Sequence, residues 1–80
     1  MNGFNEQREK EGPWEAYLSN GKLSWKGNYI NGKRHGLSEK YWRNGNLYYK
    51  GNYVNGERHG LHLWYNYNTN GELNLKQYYL

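Results

Sequence analysis

The chain has 80 residues, no cysteine and a formal net charge of +4. This length holds one domain, and the lack of cysteine excludes disulfide staples and thiolate metal sites. Mean hydropathy is −1.35, and no stretch approaches the ~18 apolar residues of a membrane-crossing helix. Hydrophobic residues are only 35% of the chain, yet 19% is aromatic, chiefly ten Tyr and four Trp. Buried Tyr and Trp need partners for their O–H and N–H groups. That suits a thin sheet with flat-lying rings better than a thick aliphatic core.

Met1–Glu11 comes first. It is charged and has no apolar run, so no signal peptide and a cytoplasmic location are expected. Glu6–Glu11 (EQREKE) has no apolar face. It is either a disordered arm or a degenerate copy of a turn that recurs later, with Phe4 as its anchor.

From Gly12 the chain repeats. Lys26–His35 (KGNYINGKRH) returns 24 residues later as Lys50–His59 (KGNYVNGERH), with eight of ten positions identical. The units are residues 12–35, 36–59 and 60–80. Columns of Gly12/Gly36/Gly60, Tyr17/Tyr41/Tyr65, Leu23/Leu47/Leu73 and Tyr29/Tyr53/Tyr79 accompany them. In the last unit, Leu73 and Tyr79 arrive two residues late, which places an insertion near Asn66–Thr69. A fixed period of this size signals a repeat architecture.

Each unit reads as two strands. Asn20-Gly21 and Asn44-Gly45, between aromatic-rich runs, predict tight type I′ hairpin turns. Asn31-Gly32 and Asn55-Gly56 open a second, longer turn, closed by Gly36 and Gly60. The expected fold is all-β, a single antiparallel meander of stacked β-hairpins with about six strands. If the tight turns pair the strands in register, one face collects Tyr17, Leu23, Trp25, Gly27 and Tyr29. It continues through Leu37, Glu39, Tyr41, Leu47, Tyr49, Gly51 and Tyr53 to Leu61, Leu63, Tyr65, Leu73, Leu75 and Tyr79. This set is the expected core. The opposite face is mixed and holds Trp14, Leu18, Ile30, Trp42, Tyr48, Val54, Trp64, Tyr78 and Leu80. Gly27 and Gly51, at strand centres, predict either a bend or the close approach of a ring, with tyrosines of the adjacent column as the candidates.

Gly27–Leu37 (GNYINGKRHGL) and Gly51–Leu61 (GNYVNGERHGL) resemble the MORN repeat, whose units pair an aromatic after Gly with an N-G-x-x-x-G turn. The 24-residue spacing and the N-G-x-L element are closer to the bacterial variant, found in small proteins described as antitoxins. The resemblance covers Gly12–Leu80 and is carried by Tyr29/Tyr53, Gly32/Gly56 and Gly36/Gly60. Leu37 and Leu61 depart from many eukaryotic units, and Gln77 departs from the Gly column. The resemblance implies a β-meander. It also implies a scaffold, a protein-binding or lipid-associated module, or an antitoxin.

The sequence offers little for catalysis or metal. His35 and His59 occupy equivalent turns two strands apart, roughly 9.5 Å at sheet spacing, whereas ligands of one zinc sit about 2 Å from it. Ser19, Ser24 and Ser38 have no His–Asp partners at a recognisable spacing, and the carboxylates do not pair. No cofactor, no metal and no enzymatic activity are expected. The expected function is protein binding, as an antitoxin-like, viral or mobile-element inhibitor that masks a partner. Candidate contact residues are Lys33, Arg34, Arg58, Trp42, Tyr48, Trp64, Tyr78 and Leu80. The basic turns are expected to project along one edge. With the neighbouring rings, they also suit nucleic acid, a nucleotide or anionic lipid. An oligomerising spacer is a third reading. Pro13 blunts the N-terminal sheet edge. The C-terminal strand, Glu72–Leu80, has no such guard and is expected to add to a partner's sheet or pair in a homodimer.

Overall fold

Alternating polar and aromatic runs punctuated by Asn-Gly give strands joined by short turns, and the computed structural model, which describes residues 2–66 and 72–80, shows that arrangement. The strands are β1 (Gly3–Phe4), β2 (Lys10–Tyr17), β3 (Leu23–Ile30), β4 (Lys33–Arg34), β5 (Gly36–Tyr41), β6 (Leu47–Val54), β7 (Glu57–Tyr65) and β8 (Leu73–Tyr79). They form one open antiparallel sheet in meander order, with β4 and β5 both pairing β3. The sheet is a single layer measuring 43 × 36 × 10 Å. Ten ångströms is the thickness of one sheet, so among the described residues no second layer covers either face.

The two kinds of turn are exchanged relative to the sequence expectation. Asn31-Gly32 and Asn55-Gly56 are the two-residue turns. Both residues of each have positive φ (50° and 82°; 52° and 86°), as a type I′ turn requires, and Ile30 pairs Lys33 directly. Ser19–Gly21 and Arg43–Gly45 are instead three-residue loops. Gly21 N–H donates to Leu18 O at 2.9 Å and Leu18 N–H to Lys22 O at 2.8 Å, with only Gly21 left-handed. In the three-residue loops the Asn side chain bonds within its own turn. Asn20 Oδ1 accepts from Lys22 N–H at 2.9 Å, and Asn44 Oδ1 accepts from Asn46 N–H at 2.9 Å. This local bond holds Asn in the turn at ordinary φ. The loop expected near Asn66–Thr69 lies largely outside the described residues.

Residues 5–9 make a further hairpin turn. Asn5 N–H donates to Glu9 O, Arg8 N–H to Asn5 O, and Arg8 takes φ 63°. Asn5 Oδ1 also accepts from the N–H groups of Gln7 and Glu9. The bonding is that of the three-residue loops, with Arg8 in the left-handed place of Gly21 and Gly45, and not that of the two-residue turn at Asn31-Gly32, 24 residues on.

The core set expected from alternation is corrected at one repeated point. The pairs nearest the loops at Ser19–Gly21, Arg43–Gly45 and their third-unit counterpart, Tyr17–Leu23, Tyr41–Leu47 and Tyr65–Leu73, are opposite one another. One residue further on, Ser24, Tyr48 and Asn74 are bulged out, because the next pairs are Ala16–Trp25, Lys40–Tyr49 and Trp64–Leu75. A one-residue shift moves every later side chain to the other face. Trp14, Ser38 and His62 therefore join Trp25, Gly27, Tyr29, Tyr49, Gly51, Tyr53 and Tyr79. Leu37 and Leu61 are displaced from the expected core and are 46% and 43% exposed, while Leu73 and Leu75 are similarly open. Among the described residues the buried side chains are Tyr29, Ser38, Tyr49, Tyr53 and His62. We term their side the ring face and the other side the ladder face.

Candidate binding faces

The centre of the ring face is built on two glycines. Across neighbouring strands runs the row Trp14, Gly27, Ser38, Gly51, His62, Gln77. The imidazole of His62 lies on Gly51 so closely that a Cβ there would stand 2.2 Å from Nδ1. At Gly27 the space is taken by the Trp25 ring and the Ser38 hydroxyl, 2.7 and 2.8 Å from such a Cβ. Of the two expectations, bend or ring, the close ring approach is present, but the ring is Trp25 at Gly27 and His62 at Gly51 rather than a tyrosine.

His62 is fully buried and bonded at both nitrogens. Its Nε2 meets Asn52 O at 2.9 Å. A carbonyl only accepts, so Nε2 carries the ring proton and Nδ1 accepts the Tyr49 hydroxyl proton. The hydroxyls of Tyr49 and Tyr53 are 3.2 Å apart and share a hydrogen bond. Burial lowers the His62 pKa, the Arg58 charge lowers it further, and the carbonyl bonds to Asn52 and His59 oppose this; the ring is neutral at pH 7. Burial, followed by the bond to Tyr53, raises the Tyr49 hydroxyl well above the ordinary tyrosine value. Burial also pushes Tyr53 up, but bonding by Tyr49, Arg58 and Arg34 outweighs it, so Tyr53 is the hydroxyl that ionises more readily.

Four cations cover these rings. Lys10 Nζ lies 4.9 Å from the centroids of both Trp14 and Tyr29. Arg34 sits 5.4 Å over both Trp25 and Tyr53. Arg58 lies over Trp64 and Tyr79 and donates to the Tyr79 hydroxyl at 2.7 Å. Lys40 lies 5.8 Å from Tyr49. Lys10, Arg34 and Arg58 form a 24-residue column that includes the N-terminal hairpin. Lys10 and Lys40 were missed from sequence, although that spacing would have identified Lys10.

The ladder face is organised differently. Glu15 pairs Lys26, Lys26 pairs Glu39 and Glu39 pairs Lys50 across successive strands. Lys26 and Glu39 are 3.4 Å apart. The hydroxyls of Tyr17 and Tyr41 donate to Glu15 and Glu39. Signs alternate along this row, so its charge is locally balanced. Beside it lies an exposed apolar band of Ile30, Leu37, Val54, Leu61 and Tyr78, each 41–69% exposed. A shallow hollow between Pro13, Asn28, Leu37 and Glu39 opens onto the same face.

The residues singled out from sequence are not one site. Arg34, Arg58 and Trp64 lie on the ring face. Arg34 and Arg58 do not project along an edge, because the two-residue turns make them strand residues packed over rings. Lys33 is exposed at the turn, with its Cβ 3.7 Å from where a Cβ on Gly56 would stand. Tyr48 is a bulge residue and packs 4.2 Å from Trp42, whose indole donates to Tyr65 O. Tyr78 is exposed on the ladder face and Leu80 lies past the end of β8. β8 pairs β7 on one side only, and Lys76 stands at mid-strand, a charge of the kind that discourages edge pairing. Among the described residues there is no group of His and carboxylates suited to a metal, and no helix long and apolar enough to cross a membrane. No protein-family model, curated protein or solved structure matches the chain.

Proposed function

We propose that the chain is a non-enzymatic, MORN-like protein-binding module that acts in the cytoplasm and masks a partner protein in the manner of an antitoxin or inhibitor. The observation that carries this reading is the ladder face: an exposed apolar band bordered by a charge-balanced polar row. Protein interfaces have that anatomy, an apolar centre with a polar rim. A face 43 by 36 Å exceeds the roughly 800 Å² that one partner contributes to a stable complex. Leu37, Leu61 and Tyr78 are its central anchors, and the open side of β8 gives a neighbouring strand a second contact.

The test is affinity capture from native lysate with the wild-type chain and with a Leu37→Asp, Leu61→Asp variant. Both leucines are exposed, so the variant keeps its fold, which circular dichroism verifies. The expected result is one protein recovered in stoichiometric amount by the wild type and lost by the variant. Equal recovery by both, or recovery of nothing, refutes the reading. Sedimentation of the free chain distinguishes a partner from a second copy. Truncating the last four residues is a poor substitute. Tyr79 packs 4.8 Å from His62 and holds Arg58, so that deletion disturbs the core as well as the edge.

A further inference from the structure

The whole net charge of the chain sits on one face. Of the eleven Lys and Arg, four (Lys10, Arg34, Lys40 and Arg58) cover the ring face. The other seven, on the ladder face or in turns, equal the seven carboxylates in number. The strand carboxylates Glu11, Glu15, Glu39 and Glu57 alternate with Lys10, Trp14, Lys40 and Arg58, so every one of them points away from the ring face. The partners of the four cations are π-faces and hydroxyls. A cation–π contact at an exposed site contributes about 0.5–1 kcal/mol, less than a charge-assisted hydrogen bond. Each guanidinium has five N–H donors, more than the neighbouring hydroxyls accept. Two further donors, the Ser38 hydroxyl and the Trp25 indole N–H, are buried on this face without a hydrogen-bond partner. The face is therefore rich in donors and positive charge and poor in acceptors.

We infer that the ring face binds single-stranded nucleic acid. A polynucleotide strand offers both complements that this face lacks, phosphate oxygens for the cations and base planes for the rings and guanidinium groups. Lys10, Arg34 and Arg58 recur on every second strand, about 9.6 Å apart by sheet spacing, and form a positive line across the sheet. An acidic peptide satisfies the cations but offers no base plane to Phe4, which is 63% exposed beside Trp14. A second copy of the chain is a poor fit, because its ladder face carries as many cations as carboxylates along the Glu15–Lys50 row. The ligand covers the side opposite the proposed protein contact, so the two readings stand or fall separately.

The test is fluorescence anisotropy with a labelled fifteen-nucleotide oligothymidylate between 50 and 200 mM NaCl. Each neutralised phosphate contributes about −0.7 to the slope of log K against log salt for single strands. Four contacts give a slope of about −2.8, or an affinity loss of about 50-fold over that range. Lys10→Ala with Lys40→Ala removes two of the four cations and is expected to bring the slope to about −1.4, a loss of about 7-fold. Lys26→Ala with Lys50→Ala lowers net charge equally from the other face and is expected to leave the slope unchanged. Circular dichroism verifies that both variants are folded. The inference is overturned by no binding at 50 mM salt, by equal effects of the two double variants, or by a poly-glutamate peptide or anionic vesicles binding as tightly as the oligonucleotide.

Discussion

Substituting Gly51 by Ala isolates the contact on which the sheet centre rests. In an open strand this change stabilises by about 0.4–1 kcal/mol, because alanine has less unfolded-chain freedom to lose. Here the sign reverses. The new Cβ would fall 2.2–2.5 Å from three atoms of the His62 ring, well inside van der Waals contact. The ring must move, and it is fully buried and bonded at both nitrogens. Overpacking costs about 1–3 kcal/mol. Each buried bond left unmade costs about 1–3 kcal/mol more. Gly51→Ala is therefore expected to destabilise by about 3 kcal/mol or more, a large share of the 5–15 kcal/mol typical of a small domain. Urea unfolding followed by tryptophan fluorescence measures it. The decisive comparison uses His62→Ser, which removes the ring and puts at position 62 the residue found at 38. In that background Gly51→Ala is expected to cost less than about 1 kcal/mol, giving a coupling above the 0.5 kcal/mol expected of residues in contact. Additive effects of the two substitutions would refute the account of Gly51 as the seat of the imidazole.

Other outcomes are expected from the same network and from the turns. Tyr49→Phe leaves Nδ1 of His62 buried without a donor and is expected to cost about 1–3 kcal/mol in urea unfolding. The folded-state pKa of His62 is depressed, so the unfolded chain binds a proton more readily. Stability is then expected to fall as pH drops below about 6.5, the ordinary histidine value. In His62→Gln that part of the pH dependence disappears, and an unchanged profile would assign it elsewhere. Arg8 occupies a left-handed conformation that costs a side-chain-bearing residue about 1–2 kcal/mol. Arg8→Gly is expected to raise the urea midpoint, with a gain of about 0.5–1 kcal/mol after glycine's greater unfolded-chain freedom is subtracted. Gly56→Ala, at φ 86°, is expected to cost about 1–2 kcal/mol, seen as a lower thermal midpoint.

Strand order was legible because Asn-Gly pairs and alternating aromatics announce hairpins. Face assignment was less so, since it depends on single bulged residues. Nothing in the residue types of Ser24, Tyr48 or Asn74 distinguishes a bulge from an ordinary pair, yet each inverts the facing of the residues beyond it. That is why Leu37 and Leu61 were assigned to the core and Trp14 and His62 were not. His62 carries no signal of its own in the sequence, because its burial depends on Gly51, a partner on the adjacent strand. The cation column was half visible: Arg34 and Arg58 repeat conspicuously, whereas Lys10 is masked by the charged run around it. Placing Arg34 and Arg58 over rings required the turns to be two residues long, and sequence alone assigned the short turn to the other Asn-Gly pair.

The meander order has a kinetic consequence. Among the described strands, β3 is the only one that pairs three others; β4 and β5 both return to it, and the strands outside this group pair only their chain neighbours. Joining them closes only short loops, so contacts stay local and no long-range closure must precede the first favourable interaction. Such a chain behaves as a one-dimensional array, in which a nucleus begins at any hairpin and spreads to either side. The Asn31-Gly32 and Asn55-Gly56 turns, with φ already positive at both residues, are its most natural starting points. Growth then proceeds hairpin by hairpin, and a unit added to or removed from the array changes its length without changing its plan.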